Sequence, residues 1–210
     1  MTISDSGSEN TRDHILDVAT RLFSRLGYDA ITVRMIADSA GLDVATVTDQ
    51  VGGKRELYIA VLERITGIEY DFLQQKVAEA EPGMAGMILL TDAYLDFCVE
   101  HPEVPALWMH RWLSDAADIT ELEERFSGKI QSLLLGAVSK AIGEGEAYEG
   151  EPPFDLELVG WTTVWCIHGF VQGGFMDEKG RTRRPQDPKA LRRVRKHLHE
   201  LVERMLGMYA

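Results

Sequence analysis

Hydrophobic residues recur in steps of three and four through nearly every segment of this chain, and no run alternates with period two. Such a pattern gives each segment an apolar stripe, which packed helices bury, so the expected class is all-α. With 210 residues, 45% hydrophobic and 27% charged, the chain can bury a substantial core, and collagen-like, low-complexity and wholly disordered readings fail. Cys98 and Cys166 are its two cysteines, too few for a disulfide scaffold or a four-cysteine zinc site, and they suit a reducing cytoplasm. A net charge of -12 argues against coating nucleic acid or anionic membrane by bulk attraction. The charge is uneven, however. Residues 1–66 carry seven Lys or Arg against ten acids, whereas residues 179–204 carry ten against three. Any nucleic-acid contact must come from a local patch.

About nine helices are expected. Residues 1–9 have neither the basic nor the apolar region of a signal or transit peptide and read as a flexible tail. Thr11 can cap a first helix with Ile15, Ala19, Leu22, Phe23 and Leu26 on one face, ended by Gly27. Thr32 caps a short second helix that runs into Ala40-Gly41-Leu42, and Asp43 caps a third with Val44, Val47 and Val51 inside. A long fourth helix starts near Lys54, with a stripe of Leu57, Val61, Ile65, Ile68 and Phe72. A fifth covers about 84–100, Pro105 opens a sixth, and Thr120-x-x-Glu123 is a capping box for a seventh. An acidic loop at 143–153, an eighth helix at 155–175, a polar basic loop at 177–187 and a final helix to about residue 206 follow. In that last helix Leu191, Val194, Leu198, Leu201 and Met205 form a seam for a partner helix.

Two short helices joined by a glycine-containing turn and set on a scaffold helix form a helix-turn-helix. Here Gly41 supplies the positive φ, and Asp43 caps the second helix of the pair. The wider stretch comprises Arg12, ILDVATRLF (15–23), Gly27-Tyr28, ITVRMIADSAGLDVATV (31–47), GGK (52–54) and ELYIAVL (56–62). In this order and spacing it resembles the N-terminal domain of the TetR family of bacterial transcriptional regulators. The resemblance implies a helix-turn-helix domain at 10–68 and a larger helical ligand-binding and dimerisation domain at 69–210. It also implies a cytoplasmic homodimer that binds a pseudo-palindromic double-stranded DNA operator, a repressor released by a small-molecule effector.

The third helix would then enter the major groove, with Ala45, Thr46, Asp49 and Gln50 outward and Thr48 on the flank. Gln50 could pair with an adenine edge, Asp49 could accept from cytosine, and Ala45 or the Thr46 methyl could touch a thymine methyl. By similarity Thr32, Arg34, Thr46, Thr48 and Lys54 occupy phosphate-holding positions. The stretch departs from the family at Thr48, Gln50 and Val51, and Asp43 and Asp49 add negative charge beside DNA. The fold tolerates these changes; they act on affinity. A ligand- or protein-binding homodimer without operator binding is the alternative reading.

The aromatic set Tyr94, Phe97, Trp108, Met109, Trp112, Trp161, Trp165 and His168 falls in the middle helices, where the resemblance places an effector cavity. It suggests an apolar or aromatic ligand, with His110, Arg111, Asp115 and His168 as candidate polar contacts, although any one aromatic could equally be core. No histidine has metal-site spacing, and neither metal nor cofactor is expected. Residues 158–175 carry no charge and contain Gly169-x-x-x-Gly173, but polar side chains and four glycines favour a buried helix over a membrane span. Phosphate loops, GxSxG and HExxH are absent, so an enzyme has no support.

Overall fold

The computed structural model describes residues 3–142 and 155–206. Its elements are α1 (Ile3–Leu26), α2 (Val33–Ala40), α3 (Val44–Val51), α4 (Lys54–Glu79), α5 (Met84–Glu100), α6 (Glu103–Trp112), a π-helical stretch (Glu123–Ser127), α7 (Gly128–Ile142), α8 (Leu156–Gly173), strands β1 (Phe175–Met176) and β2 (Thr182–Arg183), and α9 (Pro188–Met205). The all-α expectation holds. The acidic loop at 143–153 lies outside the described residues.

Four local expectations change. The first helix begins at Ile3 rather than at Thr11, so residues 3–9 are helical and not a tail. No proline interrupts them, and extending an existing helix adds a hydrogen bond for each residue fixed. The capping box at Thr120 does not frame a helix; Glu123 instead pairs with Arg111 and opens the π-helical stretch. The basic loop holds a two-residue ribbon in which Phe175 faces Arg183. Asp177 organises it by accepting from the backbone amides of Lys179 and Arg181, both at 2.9 Å, and from the Arg181 and Arg183 guanidinium groups. Those donors, the Arg181 amide foremost, hold its pKa down at about 2. Finally, Leu198 of the expected seam is fully buried, because α9 packs on α5: Arg195 bridges Asp92 and Asp96, and His199 Nε2 lies 2.7 Å from Asp92 Oδ1.

The chain divides into two compact units. The first comprises Met1–Ile68 with Ala106–Phe126, and the second Glu69–Pro105 with Ser127–Ala210. The boundary expected at residue 68 thus reappears, while residues 106–126 group with the first unit.

In the first unit α1 packs against α2 and α3 over a core of Ile15, Ala19, Phe23, Ile36 and Val47. The Phe23 ring meets Tyr58 of α4 edge-on at 5.1 Å, and Tyr28 lies 4.8 Å from Tyr58. In the second unit α5 packs against α7, α8 and α9. Met87, Val138, Val159, Val202 and Leu206 form one buried cluster there. No helix of the described residues is long and apolar enough to cross a membrane.

Candidate nucleic-acid interface and buried polar cluster

Thr32 has extended backbone and its Oγ1 accepts from Met35 N at 3.2 Å, which starts α2. Gly41 ends the helix at φ 69°, its amide turned back to Ala37 and Asp38 carbonyls, and Leu42 N bonds Ala37 O at 3.0 Å. His14 of α1 holds this corner through its Nε2, 3.1 Å from Ala40 O. Asp43 then caps α3, accepting from Thr46 N at 2.7 Å, and that amide holds its carboxyl below the usual carboxylate range. The sequence thus sets two short helices at the expected corner.

Only Val47 of the expected inner valines is fully buried; Val51 is half-buried and Val44 is 37% exposed. A helix of eight residues makes little more than two turns, so its middle lies over α1 and α2 while its ends overhang. Ala45, Thr48 and Asp49 are exposed, and Thr46 and Gln50 are half-buried. Arg34 and Thr32 are also exposed. The helix therefore offers a polar outer face without a cation of its own.

Two hydroxyls of that face are already engaged. Thr46 Oγ1 donates to Asp43 Oδ2 at 3.1 Å, and Thr48 Oγ1 donates to Val44 O at 2.8 Å. Each hydroxyl has one hydrogen, so each would have to rotate before donating to a phosphate. Lys54 begins α4, with its Nζ 3.4 Å from Asp29 O and 4.1 Å over the Tyr28 ring. Arg55 beside it is exposed, a cation that the motif comparison passed over although it occupies the same helix start.

The expected ligand set divides between the units. Trp108 (buried), Met109 (half-buried) and Trp112 (38% exposed) belong to the first. The polar candidates near them serve that unit's own backbone: His110 Nε2 lies 3.2 Å from Ser24 O, Arg111 Nη2 donates to Ile119 O at 2.7 Å, and Asp115 accepts from Tyr28 N and Asp29 N.

In the second unit Tyr94, Phe97 and His168 are buried, whereas Trp161 is half-buried and Trp165 is 51% exposed, the two indoles 5.9 Å apart. The Phe97 ring lies 5.0 Å from Phe72 and 4.7 Å from His101. Tyr94 OH donates to Glu69 Oε1 at 3.1 Å and lies 2.8 Å from His168 Nε2. With its one hydrogen given to Glu69, the hydroxyl accepts from the imidazole. Burial pushes the Glu69 carboxyl up to about 7 and His168 down to about 4. Glu69 Oε2 has no hydrogen bond among the described residues. Cys98 completes the cluster beside Tyr94, its thiol pKa raised by the same burial. A shallow depression elsewhere in this unit, lined by Val77, Pro82, Gly86, Leu90 and Ala137, includes none of the expected ligand residues.

Glu69 was not among the sequence candidates, although spacing could have found it. Leu62, Thr66, Glu69 and Leu73 follow one another in steps of four, three and four, and all are buried. The expected stripe ended on Ile68 and Phe72, and Ile68 is 47% exposed.

Residues 15–61, which span the helix-turn-helix and the start of α4, match the family described as bacterial regulatory proteins, tetR family. The chain is a member of the TetR family of regulators. As such it is a DNA-binding transcriptional regulator. Several solved TetR-type structures share the fold over nearly their whole length. FadR of Bacillus subtilis, solved with stearoyl-CoA, aligns with a TM-score of 0.69 at 16% identity, covering 93% of this chain and 98% of that one. The ketosteroid transcriptional regulator KstR2 of Mycobacterium tuberculosis aligns at 0.65 and 18%, covering 92% and 94%. A putative TetR-family regulator from Mesorhizobium loti aligns at 0.65 and 19%, covering 97% and 98%. No curated protein sequence matches the chain.

Proposed function

We infer that the chain is a cytoplasmic repressor that binds a pseudo-palindromic operator as a homodimer and leaves it when a small apolar or aromatic effector binds. The observation that carries the operator reading is α3 itself, capped at Asp43, seated by Val47 and exposing Ala45, Thr48 and Asp49. In this reading residues 10–68 are the DNA-binding domain and residues 69–210 the ligand-binding and dimerisation domain. Ala45, Thr46, Asp49 and Gln50 meet base edges, while Thr32, Arg34, Thr48 and Lys54 hold phosphates. The effector would use Tyr94, Phe97, Trp161, Trp165 and His168, with Trp108, Met109 and Trp112 on the α6 side. The stearoyl-CoA found with FadR and the ketosteroid in the name of KstR2 support an apolar effector in outline.

A second reading, an effector-binding dimer without an operator, is favoured by the engaged hydroxyls of Thr46 and Thr48 and by the absence of any Lys or Arg in α3. Selection of bound duplexes from a random pool separates the two. Enrichment of a pseudo-palindrome is expected; recovery of no sequence favours the second reading. On the selected duplex, Gln50→Ala should relax preference at one base step per half-site by roughly 1 to 3 kcal/mol, whereas Lys54→Ala should weaken binding to all sequences about equally.

A further inference from the structure

Asp115 lies in the turn that follows α6 and reaches back within the first unit to the end of α1. Its Oδ2 accepts from Tyr28 N at 2.6 Å and its Oδ1 from Asp29 N at 2.9 Å. The residues on either side, Ser114 at φ 70° and Ala116 at φ 54°, both have left-handed backbone without being glycine. Such residues are strained and persist where their surroundings over-determine them. Arg111 supplies that constraint, its guanidinium donating to Asp115 O, Ala116 O and Ile119 O and pairing with Glu123. Opposite the carboxylate stands Gly27 at φ 77°, where a Cβ would come 3.0 Å from Asp115 Oδ1. The turn and the carboxylate are thus built to fit each other.

The clamped segment in turn holds Lys54. Asp29 supplies the carbonyl that its Nζ contacts, and Tyr28 supplies the ring beneath it. Both groups belong to the two residues whose amides Asp115 fixes. We propose that Asp115 is a positioning residue for operator binding: it locks residues 27–29 so that Lys54 is held at the head of α4, facing a phosphate. This rests on the operator reading. A carboxylate whose two oxygens each accept a backbone amide has little left for an effector, which argues against the ligand-contact role expected from its place in the sequence.

Asp115→Asn keeps the size of the side chain and leaves one acceptor oxygen for two amides. Lys54→Ala and the double variant complete a cycle, measured on the duplex that the wild type selects, across a salt series and below each variant's melting temperature. Asp115→Asn is expected to weaken binding ~10-fold and to lower the salt slope by about one, as loss of a single phosphate contact does. In the Lys54→Ala background it should add no further loss. A structural staple alone would lower the melting temperature and leave affinity and slope unchanged, and that result, or additive losses in the cycle, overturns the proposal. A readout without DNA separates its failure from that of the operator reading: the Tyr28 ring should shift the Lys54 ε-proton resonances upfield in the wild type and not in Asp115→Asn. Resonances that stay in place in the variant also overturn it, whether or not an operator is found.

Discussion

Glu69 is a carboxylate where the helix stripe calls for an apolar side chain, and its position follows from the turn of α4 rather than from its chemistry. Its raised pKa means that the folded chain holds the proton more tightly than the unfolded one. The resulting stabilisation is complete below about 4.5 and disappears as pH rises through about 7. His168 works in the opposite sense: its lowered pKa costs stability as pH falls from about 6.5 towards 4. Each shift is worth about 3 kcal/mol, so between pH 4.5 and 6.5 their slopes nearly cancel. Glu69→Gln removes one of the two. Relative to wild type, its stability from urea unfolding should rise with pH across that window, and parallel profiles would contradict the assignment. Tyr94 and His168 could be picked from the sequence as polar aromatics; the charged member of the cluster could not, because hydropathy marks Glu as a surface residue.

For helices, short-range signals proved the strongest. Thr32, Gly41 and Asp43 act where the sequence puts them, since capping and left-handed turns depend on atoms within about four residues. Asp43 has two effects at once, capping α3 and adding negative charge beside the proposed groove. Asp43→Ser retains a capping oxygen and removes the charge. It should leave stability within a few tenths of a kcal/mol and tighten operator binding about threefold at low salt. Unchanged affinity in a gel-shift titration would mean that this end of α3 does not approach DNA. The expected capping box at Thr120 failed for a related reason: Glu123 lies within reach of Arg111, and a charge-assisted pair competes well against a return bond to the backbone.

Across the whole molecule the question is which apolar surface is left for a second copy. The seam expected on α9 is largely spent within the chain, for Leu198 and Val202 are buried where α9 meets α5 and α8. Leu198→Glu should therefore unfold the protein, losing its near-UV circular dichroism, rather than dissociate it. On α8, by contrast, Leu158 is 53% and Trp165 is 51% exposed, and a Cβ built at Gly169 or Gly173 meets nothing within 4 Å. This face is the better candidate for the homodimer contact. Sedimentation should give a mass near twice 23.5 kDa for the wild type, while Trp165→Glu should sediment at 23.5 kDa with its melting temperature little changed. A wild type found only at 23.5 kDa would remove the dimer from the proposed function. The sequence by itself determined the helical class, the caps of α2 and α3 and the family, because periodicity, capping and motif spacing are local properties of a chain. Tertiary structure alone decided that Asp115 clamps residues 28 and 29, that Glu69 joins Tyr94 and His168, and which face of α9 is buried. Those outcomes depend on which segments, tens of residues apart, come within hydrogen-bond reach, and a one-dimensional pattern carries no record of such distances.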